Sequence, residues 1–111
     1  GTYLGQRLRA HTKIAFMQLN AATKMEFLAG EPGKPSWWRD VYEQRGFEVH
    51  HMGFVVPKPI WPVVLRFQRA GLGSPVQWAR WGTLGHADAG CYVYLDSQLT
   101  LGLTAEILAN G

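Results

Sequence analysis

Glu48-Val49-His50-His51-Met52-Gly53-Phe54-Val55-Val56 is the clearest strand in the chain, and Pro57 closes it. Side chains alternate across a strand with period two, so Met52, Phe54 and Val56 share one face while Val49, His51, Gly53 and Val55 share the other. Downstream, Pro59 to Ala70 reads as a helix: Ile60, Val63, Val64 and Phe67 recur at helical spacing, and Gly71 is its stop. Pro59 and Pro62 are tolerable in its first turn, where backbone N–H groups lack partners anyway. Pro75–Trp81 is a second strand, 82–90 a long loop holding His86, and Tyr92–Asp96 and Leu101–Leu108 the last two strands. Residues 47–111 thus form a complete βαβββ module. Upstream, 3–9, 13–19 and 24–28 have strand character, and glycine and proline make 30–35 a loop. Ser36 then caps a short helix through Trp37, Trp38, Val41 and Tyr42, which Gly46 stops. Residues 1–46 therefore give a partial first module plus a linker helix, with no strand–helix pair ahead of its three strands. The fold class is α+β.

Composition bounds the function. A chain of 111 residues holds one domain, and 47% apolar content supplies a core. Charged residues, at 17%, fall below the roughly 25% of an average domain, and glycine and proline are plentiful. The net charge of +3 comes from scattered lysines and arginines rather than a clustered stripe, which argues against a nucleic-acid partner. No apolar run approaches the ~18 residues of a membrane span, and no secretion signal opens the chain. One cysteine, Cys91, excludes an internal disulfide and reads as a small buried residue; the expected compartment is the cytoplasm. Catalytic Ser-His-Asp, Cys-x-x-Cys and nucleotide-binding patterns are missing from the sequence.

Three strands carry a polar side chain opposite a bulky apolar face. Besides His51, Glu26 stands opposite Met25 and Phe27, and Glu106 opposite Ala105 and Ile107. If these strands join one curved sheet, Glu26, His51 and Glu106 converge on its inside. One imidazole and two carboxylates suit a divalent ion such as Mn²⁺, Fe²⁺, Co²⁺, Ni²⁺ or Zn²⁺. Open positions on such an ion let a substrate carbonyl bind and be polarised, and Glu106 or Glu26 could then move the neighbouring proton. The plainer reading of the same residues is a pair of solvated strand glutamates and a hydrogen-bonded histidine pair.

The segment from Ser36-Trp37-Trp38-Arg39-Asp40 through Gly46 to His50-His51-Met52-Gly53 resembles the centre of the vicinal oxygen chelate superfamily, which includes glyoxalase I, methylmalonyl-CoA epimerase, extradiol dioxygenases and bleomycin and fosfomycin resistance proteins. The likeness is greatest to the epimerase-type glyoxalase group and extends through Tyr92-Val93-Tyr94-Leu95-Asp96 and Leu101–Leu108. It implies βαβββ modules forming a curved, mostly antiparallel sheet around a pocket. It also implies metal ligation by Glu26, His51 and Glu106, with His50 structural and turned toward the helix side or solvent. The sequence departs from the family at one ligand, a histidine on a first strand in an Asp-His-hydrophobic context; His11 is no substitute. Either an upstream segment is missing from the chain, or this is a shortened member that has lost a ligand. The edge so exposed calls for a cover, and a homodimer is expected.

Trp78 and Trp81 must face opposite sides of their strand, one lining the pocket, and with His86 at the pocket mouth they are the candidate substrate-binding residues. Trp37, Trp38 and Trp61 read as packing or interface. The resemblance implies a metal-dependent isomerase or lyase acting on a small carbonyl, carboxylate or thioester substrate; the alternatives are a drug-sequestering binder of the same fold and a truncated member without activity.

Overall fold

The computed structural model describes residues 1–9, 12–83 and 85–110, so His11 lies outside the described residues. In chain order the first half holds β1 (Thr2–Tyr3), β2 (Gln6–Arg7), β3 (Thr12–Gln18), β4 (Lys24–Gly30) and α1 (Trp37–Arg45). The second half holds β5 (His51–Val55), α2 (Ile60–Arg69), β6 (Pro75–Trp81), β7 (Gly90–Leu95), α3 (Gln98–Leu101) and β8 (Thr104–Asn110). The fold is α+β. Six strands form a mixed sheet in the order β2-β1-β6-β7-β8-β5, and β3 and β4 form a separate antiparallel pair.

The second half follows the expected strand–helix–strand–strand–strand order. β5 joins β8 in parallel and the rest is antiparallel. Four details differ from the sequence reading. The Glu26 strand does not join the sheet of His51 and Glu106, because β3 and β4 pair only with each other, and the strand expected from Glu48 begins at His51. The single strand expected over 3–9 is a tight hairpin of two short strands, because Leu4 (φ 49°) and Gly5 (φ 77°) turn the chain back. The last strand begins at Thr104 rather than Leu101, because Gln98–Leu101 coils into α3 and Gly102, at φ 74°, ends that turn in the left-handed region only glycine adopts freely.

Two cores follow from the alternation. On one face of the six-stranded sheet, Ile60 and Val64 of α2 pack on Val93, Leu95, Ala105, Ile107 and Ala109. On the other face, Trp37, Trp38 and Val41 of α1 pack with Tyr3, Val76 and Tyr94, and Leu28 of β4 joins them. Ser36 caps α1 by accepting from the Arg39 N–H at 3.1 Å. The helix is then pinned by its indoles: Trp37 Nε1 donates to Thr104 Oγ1 at 2.7 Å, and Trp38 Nε1 to Tyr94 Oη at 2.8 Å. The Trp37 backbone N–H donates to Gln77 Oε1 at 2.7 Å, and Gln77 Nε2 donates to Tyr92 Oη at 2.9 Å. Among the described residues no buried side-chain polar atom lacks a partner. No helix among them is long and apolar enough to cross a membrane.

Candidate functional site

Register brings the expected residues together. Gly53 of β5 pairs with Glu106 of β8, and Glu106 pairs with Tyr94 of β7, so these three stand in one row across the sheet. His51 precedes Gly53 by two residues and shares its face. On the β3–β4 pair, Glu26, Leu28 and Gly30 are half-buried while Met25, Phe27 and Ala29 are exposed, so Glu26 is on the covered face. Glu26 Oε1 lies 3.5 Å from His51 Nε2, and Glu106 Oε1 lies 3.6 Å from the same atom. His51 is the hinge of the trio. Its side chain is only 10% exposed, against 25% for Glu26 and 13% for Glu106.

Burial sets the charges. Desolvation pushes His51 down to about 4, helped by the adjacent His50, and pushes His50 itself down to about 4. Desolvation, then the charge of Glu26, raises Glu106 to about 8, with the Tyr94 hydroxyl opposing. Glu26 is raised by burial and held back by Lys24. Near neutral pH the imidazole is therefore uncharged and Glu106 largely holds its proton. The 3.5 and 3.6 Å approaches are not ion pairs, and neither has hydrogen-bond geometry.

The donor types are ones that a small divalent ion takes. Ligand atoms bound at ~2.1 Å to a common ion stand ~3.0–3.4 Å apart, close to the separations from His51 Nε2. Neutral imidazole is the form that ligates, and carboxylate oxygen completes a borderline-hard set. Among the described residues no group of three or more His, Cys, Asp or Glu side chains is placed to hold a metal ion, so the trio is a loose set rather than a formed cage.

Three neighbours had no distinct signal in the sequence. Tyr94 stacks within 5.2 Å of the His51 ring and 4.8 Å of Tyr92, making an aromatic floor with Trp38. Burial raises both phenols, Tyr92 to about 12, so they remain protonated donors. Gly53 makes room: a Cβ there would stand 2.8 Å from Glu106 Oε1. Of the two places expected for it, His50 takes the helix side, against the start of α1. Its Nδ1 meets His51 Nδ1 at 3.0 Å, and its Nε2 lies 3.4 Å from the Trp37 carbonyl.

The candidate substrate residues separate. Trp78 pairs with Val93 and packs on the α2 core, edge-on to Trp61, so it lies on the face away from the trio. Trp81 is on the trio's face, over Gly90, but four residues along β6 from Gln77, which pairs with Tyr94. At ~3.4 Å per residue that is ~13 Å from the Glu106 row. His86 is exposed in the β6–β7 turn at the same far end, where its N–H donates to the Thr83 carbonyl. A shallow cleft of about 290 Å³ lined by Tyr3, Arg7, Leu8, Arg9, Lys34 and Pro35 contains none of the trio. No protein-family model matches the chain, and no curated protein matches it at a significant level.

Proposed function

We propose that this is a vicinal oxygen chelate-type domain in which Glu26, His51 and Glu106 hold a divalent transition ion, and that it acts as an isomerase or lyase on a small carbonyl, carboxylate or thioester compound. The observation that carries the reading is the meeting of one neutral imidazole and two carboxyl groups, from β4, β5 and β8, around His51 Nε2. The βαβββ order of residues 47–111, with β5 parallel to β8, supports the fold assignment. An ion bound there supplies a Lewis acid for a substrate oxygen. Glu106 does the proton work. Its carboxylate, displaced from the ion, would take a proton from the carbon beside a carbonyl and return it to that carbon. Tyr94, held by the Trp38 N–H, fixes the floor beneath the carboxyl.

The aromatic floor favours a second reading, a small-molecule binder that needs no ion. Titration with Mn²⁺, Co²⁺ or Ni²⁺, followed by exchange of a carbonyl compound's α-proton in deuterated buffer, separates the two. Metal-dependent exchange that Glu106→Gln stops, with ligand binding retained, supports the enzyme. Binding indifferent to metal, with no exchange across a carbonyl and thioester panel, means the binder. We also propose that the chain pairs with a second copy, which covers the apolar side chains left on β3 and β4.

A further inference from the structure

We infer that His50 is a positioning residue: it locks His51 in the tautomer protonated at Nδ1, so that the Nε2 lone pair faces Glu26 and Glu106. The Trp37 end of the chain of contacts has no choice of role. The Trp37 carbonyl only accepts, so the His50 Nε2 beside it at 3.4 Å must carry the proton. A neutral imidazole carries a single ring proton, and among the described residues no carboxylate pairs with His50 to hold a second one, so with its proton on Nε2 the His50 Nδ1 is a bare acceptor. His51 Nδ1 lies 3.0 Å from that acceptor and must donate to it. A neutral His51 with its proton on Nδ1 has none on Nε2. The opposite order would set the lone pair of His50 Nε2 against the lone pairs of the carbonyl oxygen.

Distances decide which contact governs the tautomer. The 3.0 Å imidazole pair is a full hydrogen bond, whereas the carboxyl oxygens at 3.5 and 3.6 Å from Nε2 exert little directional pull. The rings meet edge-on at 87°, so the contact is not a stack. The chain Trp37 carbonyl–His50–His51 thus couples the first turn of α1 to the Nε2 atom in the trio. Histidine ligands depend on such an outer hydrogen bond for tautomer and ring orientation. The claim that the lone pair serves an ion rests on the proposed function; the tautomer itself does not.

The test uses metal-free, ¹⁵N-labelled protein, whose long-range ¹H–¹⁵N imidazole spectrum distinguishes the two tautomers. In the wild type, His51 is expected to be protonated at Nδ1 and bare at Nε2. His50→Phe removes the acceptor at similar volume and should shift the His51 proton toward Nε2; Co²⁺ affinity should fall about 10- to 100-fold. His50→Asn, whose side-chain oxygen falls near the lost Nδ1, should restore both. A wild-type His51 protonated at Nε2 overturns the inference, and so does a tautomer unmoved by His50→Phe. Should His50→Phe not fold, the wild-type spectrum alone decides. If no variant binds Co²⁺ yet the tautomer follows residue 50, the positioning role stands and the ion reading fails. If Co²⁺ binds all three proteins equally and the tautomer never moves, the reverse holds.

Discussion

Gly53 acts by lacking a side chain. A Cβ there would meet Glu106 Oε1 at 2.8 Å and Leu108 Cδ2 at 3.1 Å. The ends of both side chains can swing, so Gly53→Ala should change stability by less than about 1 kcal/mol while displacing the carboxyl from His51. Calorimetric titration with Mn²⁺ should show weakened binding at a nearly unchanged melting temperature; unaltered affinity would argue against this role for Gly53. The titrating residues make a second prediction for the metal-free protein. His50 and His51 titrate near 4 when folded and near 6.5 when unfolded, so the stability they contribute is complete above 6.5 and is lost as pH falls toward 4. Glu106 runs the other way, from 4.5 unfolded to about 8 folded; its contribution is complete below 4.5 and is lost as pH rises through 8. Two histidines outweigh one glutamate below 6.5, and the glutamate prevails above. These groups therefore place the maximum melting temperature near pH 6.5. A melting temperature rising steadily from pH 5 to 9 would contradict these shifts.

Helix α1 holds the site by polar pins rather than by its apolar stripe alone. Trp38→Phe keeps most of the buried area but removes the donor to Tyr94. Leaving that buried hydroxyl short of a partner should cost about 1–3 kcal/mol in urea denaturation, and the Tyr94 floor beneath Glu106 should loosen. A loss no larger than that of an exposed change such as Tyr42→Phe would remove the pin from the account. The elements also mark where sequence reasoning holds. β5, β6 and α2 were legible because apolar period and flanking glycine or proline agree at Glu48–Pro57, Pro75–Trp81 and Pro59–Gly71. Glu26, His51 and Glu106 were legible because each interrupts a half-buried strand with a polar group. The Leu4-Gly5 turn was not, since a leucine at positive φ contradicts local preference and is set by pairing of β1 with β6. The places of Tyr94 and Gly53 beside Glu106 depend on inter-strand register, which no spacing along one strand encodes. The inward turn of His50 depends on α1 packing alongside.

Across the whole molecule, apolar exposure is uneven. Met17 is 52% exposed, Met25 43% and Phe27 41%, all on the face of the β3–β4 pair turned away from Glu26. Such a concentration marks an interaction surface, and a second copy is the occupant we propose. Light scattering at micromolar concentration should give a dimer. Met17→Lys with Phe27→Lys, on the face away from Glu26, should give a monomer that still takes up Co²⁺. A wild-type monomer across that range would leave the surface to some other cover. Finally, the parallel pairing of β5 with β8 aligns His51 with Thr104, whereas β3–β4 and β6–β7 join neighbours in the chain. Closing the long loop is entropically expensive, so the local hairpins should assemble first and the β5–β8 seam late. Groups that meet only after the barrier is crossed cannot speed its crossing. An ion gripped between His51 and Glu106 should act as a latch, slowing escape from the native state in stopped-flow experiments while the refolding rate stays the same.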